Sequence, residues 1–528
     1  MMLTHQCSGR ASFAFLVALL LVLFLLTANR LHNGPSAAFS RLKGDWISVD
    51  GEEHHDGQQS LSAEKTNNFC SQDFEFLRQG DLGLTDNIVY SRRCIRAVHG
   101  NVDRDVVTNI STPLITSKTT LSLTAECTTV EAPPCERLTL HVPPNYPQEQ
   151  YRHLIFGVAS SHDRLKESLP VFAHWLSGTG AQLVAVVSDA DRTDATFDLP
   201  SLEAEYRQHD VAATIIPPTQ KVAIPRKDTP LDATPSAPSP VEQLHFLLIR
   251  DMLDRATPET QWLGVLDDDT FFPALHPLSA ALRQHDHTIP TWLGALADNF
   301  VSIKIWGYMA YGGAGTFLSV PLARQLAPHL ESCIRETTVV SGDGMLRDCV
   351  YAHTTTKLTL VDGLYQHDIR GDPAGFFESG RRALSIHHWK SWYRAPVAQM
   401  AAVTRVCGDC FLQRWRFGND TLLANGYSIT TYRDGLLDKI DLSRVEGTWQ
   451  EPDGKFDFVY GPFRPRLSEA DKKSYRLVAV DGEARKGGRF RQVYVHRAPR
   501  KDSGGSSKEE EEAEEGRMDE VVELIWEG

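Results

Sequence analysis

The sequence predicts an α/β protein built around a mostly parallel sheet, and two observations carry that prediction. The apolar run 153–159, the helical spacing of apolar residues over 163–175 and the apolar run 183–187 form a strand, helix, strand unit, which is the repeating unit of parallel sheets. A further apolar run, 262–266, ends directly in the acidic triplet 267–269. Ligands of such sheets gather where strands end, so the triplet marks a candidate site.

The N-terminus carries an apolar segment that is just long enough to span a membrane. Residues 11–28 contain no charge, and about 18 residues is near the lower limit for a span. A cleaved secretion signal and an uncleaved anchor both remain open, because small residues suited to cleavage follow the segment. We expect a type II signal anchor with a head over 1–10 and a polar stem over 29–67. Either alternative exports the rest of the chain.

The cysteines agree with export. Eight of the nine follow the apolar segment, and an even number in an exported chain suggests disulfides. For the CxxC spacing at 407–410 we favour a structural disulfide over zinc or redox chemistry, because no second CxxC or histidine pair accompanies it. The candidate pairs are Cys333 with Cys349, Cys127 with Cys135, and Cys407 with Cys410. The sequons at Asn109 and Asn419 are candidate glycosylation sites in that compartment.

Composition separates the flanking regions from the α/β domain. Residues 68–147 contain short β-like runs and four cysteines, residues 217–240 are a proline-rich insertion, and 401–498 is predicted to be β-rich. The acidic run near 509–515 predicts a disordered tail over 499–528. The net charge of −14 argues against a nucleic-acid partner, which would require a basic surface.

Three adjacent carboxylates at the end of a core strand repel one another and favour a nearby cation. A divalent metal carrying a diphosphate is the natural candidate. The alternative is a solvated acidic turn. Because Asp267, Asp268 and Asp269 stand at the carboxyl end of a predicted central strand, we favour the metal site.

Three later segments are candidates for the same site. The turn 311–315 is rich in glycine, which permits close backbone approach to a ligand, although a simple tight turn is the alternative. Asp343 follows Gly342 in a turn where it could instead cap the next helix. Histidines stand at 367 and at 387–388. Neighbouring residues of a strand face opposite sides, so we expect His387 and His388 not to bind one metal together.

Taken in order, these segments resemble one family. The acidic triplet after an apolar strand, the glycine turn followed by Leu318-Ser319, Asp343 before a cysteine-containing helix, and His367 some two dozen residues later resemble glycosyltransferase family 31, the Fringe-like β-1,3-glycosyltransferases. The segments 366–372 and 385–389 resemble in particular the fungal and plant branch long labelled as a domain of unknown function. The resemblance covers roughly residues 150–410.

The resemblance implies a GT-A fold over 148–400, a Rossmann-like mostly parallel sheet that binds nucleotide-diphospho-sugars. It also implies a UDP-sugar donor, Mn²⁺ and inversion at the anomeric carbon. By position, Asp269 matches the direct metal ligand, Asp267 a residue supporting the metal or nucleotide, and His367 the metal-binding histidine. Asp343 matches the catalytic base.

Further positions follow from the same resemblance. Gly312, Gly313 and Gly315 match the loop beside donor and acceptor, and Asp268 and Trp306 are candidates for contact with the nucleotide-sugar or the acceptor. Fringe-like members often have an acidic pair where this chain has Gly342-Asp343. The first acid of that pair, on the acceptor side of the site, is therefore absent from this chain.

Elementary chemistry agrees with these roles. Leaving-group charge on a diphosphate is stabilised by a hard cation, and mixed carboxylate and imidazole ligands suit Mn²⁺ better than Mg²⁺. Inversion needs a separate base, and one carboxylate can take the proton of the acceptor hydroxyl.

We therefore expect an inverting hexosyl- or N-acetylhexosaminyltransferase acting on a glycan or glycoprotein hydroxyl in the Golgi. Two alternatives remain, a catalytically silent glycan-binding protein on the same fold and a metal-dependent hydrolase.

Overall fold

The computed structural model describes residues 72–78, 82–124, 133–190, 198–228, 237–450, 456–457, 459–482, 489–499 and 518–527. The predicted head, anchor and stem, Cys127 and the acidic run 509–515 lie outside these ranges. Within the described part of the chain, no helix combines the length and apolar character needed to cross a membrane.

The described strands follow one another in chain order. They are β1 (Asn87–His99), β2 (Thr108–Ile110), β3 (Thr119–Ser122), β4 (Glu136–Val142), β5 (Leu154–Ser160), β6 (Gln182–Val187), β7 (Ala212–Ile216), β8 (Trp262–Leu266), β9 (Trp292–Gly294), β10 (Thr316–Ser319), β11 (Leu358–Leu360), β12 (Arg414–Phe417), β13 (Thr421–Ala424), β14 (Ser428–Tyr432), β15 (Phe456–Asp457), β16 (Gly461–Pro462), β17 (Lys472–Asp481), β18 (Arg489–His496) and β19 (Asp519–Glu527).

The described α-helices are mostly short. They are α1 (Gln72–Arg78), α2 (His162–Leu176), α3 (Leu199–Gln208), α4 (Val241–Leu253), α5 (Leu275–Leu282), α6 (Phe300–Trp306), α7 (Val320–Leu326), α8 (Leu330–Glu336), α9 (Gly342–His353), α10 (Ala374–Phe377), α11 (Val397–Ala401) and α12 (Thr404–Cys407). Single 3₁₀ turns lie at Gly312–Ala314, Ala327–His329 and Leu437–Lys439.

The predicted α/β domain is confirmed as a seven-stranded sheet in the order β11-β9-β10-β8-β5-β6-β7. The predicted strand, helix, strand unit is β5, α2 and β6. Of the six strand pairings, only the two made by β10 are antiparallel, so the sheet is mixed but mostly parallel. The chain runs outward from β5 on one side and then returns to β8 on the other. This reversal opens a crevice at the carboxyl ends of β5 and β8.

Helices cover both faces of this sheet, which is why its central strands are buried along their whole length. The apolar face of α2 packs on one side and that of α4 on the other. A Cβ on Gly157 would lie 2.9 Å from the Met252 sulfur, so glycine permits the close approach of β5 and α4. The proline-rich segment forms a bridge between Val222 and Pro238 before α4 begins.

A second sheet unites the two regions that flank the α/β domain in sequence. Its order is β2-β12-β13-β14-β17-β18-β19-β1-β3, and β4 also pairs with β1. Strands from before residue 148 and from after residue 400 therefore form one structure. This gives the region 68–147 a structural role that its sequence did not disclose.

The prediction of a disordered tail over 499–528 is wrong for Asp519–Glu527. This segment is β19, which pairs with β1 in parallel and with β18 in antiparallel. Its apolar side chains are at most 2% exposed: Val521, Val522, Leu524, Ile525 and Trp526. The acidic composition just before this strand masked a core segment.

The disulfides follow the predictions in two cases of three. Cys333 pairs with Cys349, and Cys407 pairs with Cys410. The pairing of Cys135 with Cys127 is wrong, because Cys135 bonds to Cys94. The neighbouring strands β1 and β4 place Cys94 opposite Arg137, which brings Cys135 within reach. Asn109 and Asn419 are both exposed, and their glycosylation stays a prediction.

Candidate active site

The acidic triplet follows β8 in a turn that is fastened to the glycine-rich segment. The Asp267 amide donates a hydrogen bond of 3.1 Å to Thr270 Oγ1, and the Thr270 hydroxyl donates one of 3.0 Å to the Gly313 carbonyl. Thr270 is fully buried. The triplet and the glycine turn therefore share one rigid junction at the end of the strand.

Asp268 faces away from its two neighbours and binds Arg164. The Arg164 guanidinium makes two contacts of 2.5 Å with the carboxylate, through Nε and Nη2, and the Ser160 hydroxyl also donates to it. A buried carboxylate in a two-point arginine pair has its charge satisfied within the protein. Contact of Asp268 with a nucleotide-sugar stays a prediction that this geometry does not favour.

His387 completes a group with the other two aspartates. A pair of backbone hydrogen bonds between Phe271 and Ile386, 2.9 and 2.8 Å long, brings the segments together. His387 Nε2 lies 2.9 Å from Asp269 Oδ1 and 3.3 Å from Asp267 Oδ2. Its Nδ1 lies 3.0 Å from the Gln366 carbonyl. Since a carbonyl only accepts, Nδ1 carries hydrogen and Nε2 faces the carboxylates, as in a metal-binding histidine.

His388 lies beside His387, and the expectation that the two point to opposite faces is wrong. Their ring centroids are 3.8 Å apart, because His388 has a φ of 58° and is not in a strand. The His388 ring stacks on Trp392 at 3.9 Å, and its Nε2 lies 3.5 Å from Asp368 Oδ1. Asp269, His387 and His388 each offer a ligand atom, and these atoms lie within 4.8 Å of one another.

The structure does not bring His367 into this group. Its ring is fully buried among aromatic side chains, with the Phe376 centroid 4.3 Å away. Its Nδ1 accepts a 3.3 Å hydrogen bond from the His387 amide. Burial, with His387 and His388 nearby, holds the pKa of His367 well below its usual value. His367 therefore supports the backbone of His387, and it is His387 that lies beside Asp267 and Asp269.

The described residues contain a second group of potential metal ligands, Cys333, Cys349 and His353. Its two cysteines form a disulfide, and a metal requires free thiolates. The group around Asp269 is therefore the better candidate for a cation.

The electrostatics of the Asp269 group reflect a shortage of positive charge. Burial disfavours a charged His387, yet Asp269 and Asp267 outweigh burial and raise the pKa of His387 well above its usual value. Burial likewise opposes ionisation of Asp269, but His387 lowers the pKa of Asp269. A bound divalent cation would satisfy the same carboxylates, and oxygen with imidazole ligands suits Mn²⁺.

Asp343 lies at the start of α9, on the other side of the glycine turn. A Cβ placed on Gly312 would lie 2.7 Å from Asp343 Oδ1, and one placed on Gly313 would lie 2.1 Å from His387 Cε1. Consecutive glycines therefore make room for the candidate base and for the candidate metal ligand. Gly315 has a φ of 94°, which favours glycine and turns the chain into β10.

Asp343, the candidate base, lies in surroundings that oppose its ionisation. Burial raises its pKa to about 6; His245 opposes this shift, and the charge of Asp267 adds to it. The nearby Gly312 amide lowers the pKa of this carboxyl group, but no described residue makes a hydrogen bond of normal geometry to its buried Oδ1. A carboxylate oxygen without a partner can accept a proton from a hydroxyl group.

His245 is a member of the site that sequence reasoning missed. It lies on α4, with Nε2 3.2 Å from Asp267 Oδ1. A Cβ on Gly342 would lie 2.4 Å from His245 Nδ1, so Gly342 and His245 depend on each other. Nothing in the local pattern of α4 distinguishes this histidine from a core residue. The adjacent histidines 387–388 could have been found by allowing a turn in place of a strand.

Trp306 ends α6 and is 45% exposed. Its carbonyl accepts a 2.5 Å hydrogen bond from Arg347 Nη1, and Arg347 lies one helical turn beyond Asp343 on α9. This hydrogen bond ties the end of α6 to α9, the helix on which Asp343 stands, and contact of Trp306 with a sugar stays a prediction.

Residues 303–405 match a family described as "Protein of unknown function, DUF604". The matched segment holds the glycine turn, Asp343 and the three histidines, but not the acidic triplet. Chondroitin sulfate synthase 2 of Mus musculus is 28% identical over 155 residues, which are 28% of this chain and 20% of the relative. The match therefore spans a fifth of the length of that curated relative.

Two solved structures resemble the chain at low similarity. Mouse xyloside xylosyltransferase 1 in its apo form gives a TM-score of 0.26 with 12% identity, covering 40% of this chain and 84% of the other. A galactosyltransferase, LgtC, in complex with donor and acceptor sugar analogues gives 0.26 and 12%, covering 46% and 81%. At this TM-score neither likeness carries an argument about the chain.

We expect His387→Ala to weaken Mn²⁺ binding strongly, because it removes a direct ligand. Loss of a residue that only supports a ligand already weakens metal binding about 10- to 100-fold, and the loss in His387→Ala should be at least as large. His367→Asn is the matched control, because asparagine tolerates the φ of 53° at this position and can still accept from the His387 amide. Calorimetric titration of each variant with Mn²⁺ measures the difference. Equal losses in both variants, or unchanged binding after Asp269→Ala with His387→Ala, would contradict this ligand set.

We also expect Gly313→Ala to disturb the site, because the new methyl group would overlap the His387 ring. Overpacking of this kind costs about 1–3 kcal/mol. Gly100→Ala is the control, since a Cβ there would meet nothing within 4 Å. Thermal unfolding and Mn²⁺ titration should show losses at 313 only; a fully stable Gly313→Ala that binds Mn²⁺ normally would show that His387 is free to move.

Proposed function

We propose that this protein is an inverting glycosyltransferase with a GT-A fold, which transfers a hexose or N-acetylhexosamine from a UDP-sugar to a glycan hydroxyl. The observation that carries the proposal is that Asp343 and His387, two groups with different chemistry, lie against neighbouring glycines of one turn. Gly312 accommodates Asp343, and Gly313 accommodates His387. A proton acceptor and a cation-binding group are the two components that inverting transfer to a hydroxyl requires.

Asp343 is the proposed general base. As the acceptor oxygen attacks the anomeric carbon, its proton passes to Asp343 and the UDP group leaves. A base whose pKa lies near the working pH is effective in this role, and the pKa of Asp343, which burial raises to about 6, suits it.

Asp269, His387 and His388 are the proposed ligands of Mn²⁺, with Asp267 supporting them through His387. Bound Mn²⁺ supplies a positive charge that stabilises the leaving diphosphate. Arg164 is 55% exposed while its guanidinium holds Asp268, and this places a further cation beside the triplet. The family resemblance of the acidic triplet supports a UDP-sugar donor and a β-1,3 linkage.

The departure at Gly342 has a physical explanation that favours an active enzyme. An acidic side chain there would collide with His245, whose Nε2 lies 3.2 Å from Asp267 Oδ1. Glycine at 342 therefore makes room for this histidine, and the departure is no longer specific support for the silent glycan-binding alternative. We further propose that residues 11–28 anchor the protein in the Golgi membrane as a single-pass type II protein.

The proposal is tested with the full chain and a panel of UDP-sugars in the presence of Mn²⁺, read by release of UDP. We expect release from at least one UDP-sugar, stimulation by an acceptor glycan, and loss on chelation of the metal. Release of sugar from a glycan without any nucleotide-sugar would favour the hydrolase, and glycan binding without UDP release would favour the silent protein.

We expect kcat/KM for transfer to rise with pH along a limb whose apparent pKa is about 6 or lower, and to reach a plateau above that pH. The pKa of the free carboxyl is raised to about 6, so Asp343 is protonated and inactive at lower pH; a bound cation would favour the carboxylate and move the limb downward. Initial rates between pH 4.5 and 8 measure the limb. A limb above pH 7, or one that persists unchanged in Asp343→Asn, would assign the titration to another group.

A further inference from the structure

Exposed apolar side chains concentrate beside the candidate base. Six of the twelve large apolar residues that the described chain exposes stand on α6, at the second residue after it, and two residues before α9. They are Phe300, Val301, Ile305, Trp306, Tyr308 and Val340, between 45% and 65% exposed. A concentration of exposed apolar surface marks an interaction site.

One face of the exposed helix carries an apolar stripe. Val301 and Ile305 stand at i and i+4 on this face, and the exposed Tyr308 follows directly after the turn at Gly307. Their exposed fractions are 50%, 65% and 53%. No residue of α6 is fully buried, and Ile303 on the opposite face makes its partial contact with the core.

Hydrogen bonds tie both ends of α6 to the site. At its start, Asn299 accepts from the Ser302 amide at 2.7 Å and donates to Asp368 at 3.1 Å, and Asp368 in turn faces His388. At its end, Arg347 Nη1 holds the Trp306 carbonyl. The stripe is therefore held in position next to the site.

The chain around Gly307 is shaped for this attachment. Gly307 has a φ of 94°, and a Cβ there would lie 2.6 Å from Arg347 Nη1. The Tyr311 hydroxyl donates to the Ser302 and Gly307 carbonyls at 3.2 and 3.3 Å. Since Tyr311 immediately precedes Gly312, which lies against Asp343 Oδ1, Tyr311 connects the helix to the turn beside Asp343.

We propose that the acceptor carries an alkyl chain and that this chain lies on α6 and Val340 while the acceptor hydroxyl reaches Asp343. The proposal rests on the glycosyltransferase function proposed above and names its substrate class, an alkyl or lipid glycoside. Val301 and Ile305 have no polar atoms with which to bind sugar hydroxyls, whereas each buried methylene of an alkyl chain adds favourable burial. The connection through Tyr311 to the turn beside Asp343 places the chain at the acceptor side of the site.

The test compares methyl and octyl β-glycosides of the same sugar, over a small panel of sugars, as acceptors with the UDP-sugar and Mn²⁺. Octyl glycosides are used below their critical micelle concentration. We expect the octyl glycoside to have a KM at least tenfold lower than the methyl glycoside. The double variant Val301→Ser with Ile305→Ser should remove that difference and leave UDP release without acceptor unchanged. Ile289→Ser, which alters an exposed apolar residue in the turn before β9, is the control.

Three results would overturn the inference: equal KM values for the two glycosides in the unaltered protein, equal losses for both in the double variant, or a change in acceptor-free UDP release, which would assign α6 to the donor. A dimer that the double variant converts to monomer would instead assign the stripe to a second copy. Failure of the proposed function would appear separately, as no UDP release from any UDP-sugar. Calorimetric binding of octyl against methyl glycoside tests the inference even in that case.

Discussion

Replacing Asp343 with asparagine should lower kcat for sugar transfer about 10²- to 10⁴-fold, the usual contribution of a positioned general base. The substitution keeps the shape of the side chain, so the space between Gly312 and His245 remains filled. It removes the oxygen that takes the proton, because an amide is not basic at neutral pH. Single-turnover transfer with saturating UDP-sugar and Mn²⁺ measures the loss at the chemical step.

The expected loss should be confined to the reaction. Mn²⁺ affinity should stay unchanged, because Asp343 is not among Asp269, His387 and His388, whose ligand atoms lie together. Glu242 stands in the first turn of α4, and its charge acts on His245. Glu242→Gln is the matched control, since it removes one negative charge near His245 and leaves the candidate base in place. Transfer at the normal rate in Asp343→Asn would show that another group accepts the proton, and His245 would be examined first.

The architecture of the α/β domain could be predicted because its signals are local. The periodicity of β5, α2 and β6 is contained in a stretch of fewer than forty residues, and the acidic triplet follows its strand directly. Asp343 and the glycine turn were also recognisable, each by its own short motif. That Asp343 and the glycine turn lie close together depends on the order of the strands. The family resemblance implies that proximity, whereas the local sequence pattern does not.

The local sequence could not show which histidine lies beside the acidic triplet, because long-range pairing decides it. His367 and His387 both stand in recognisable segments, and only the bridge from Phe271 to Ile386 brings one of them to the triplet. The rule that adjacent residues face opposite sides holds for extended strands. It failed at His388, where the chain turns with positive φ.

The C-terminal strand shows a different limit. The acidic residues at 509–515 dominate the composition of the tail, while the apolar residues of β19 are confined to the last ten residues of the sequence. Their burial depends on β1, more than four hundred residues earlier in the chain. The apolar cluster Val521–Trp526 nevertheless predicts a strand when its composition is considered separately from that of the acidic run.

Deleting residues 518–528 should therefore unfold the second sheet, although the segment is short and terminal. Full burial of an apolar side chain is worth about 1.5–3 kcal/mol, so the five buried side chains of β19 together contribute about 7–15 kcal/mol by the same measure. That equals the entire stability of a typical domain, about 5–15 kcal/mol. The deletion also leaves β1 and β18 without the partner that lies between them. Soluble yield and urea unfolding measure the effect.

Two variants separate the strand from the acidic run that precedes it. Trp526→Ala should lower the free energy of unfolding by about 3–5 kcal/mol, as expected for a fully buried tryptophan. The substitution also removes the 2.7 Å hydrogen bond that Nε1 donates to Gln492. Replacing Glu509, Glu510, Glu511 and Glu512 with serine should leave stability unchanged, as the sequence-based prediction of a solvated acidic run requires. A stable, soluble protein after deletion of 518–528 would mean that β1 and β18 close the sheet without β19, and that the tail is dispensable after all.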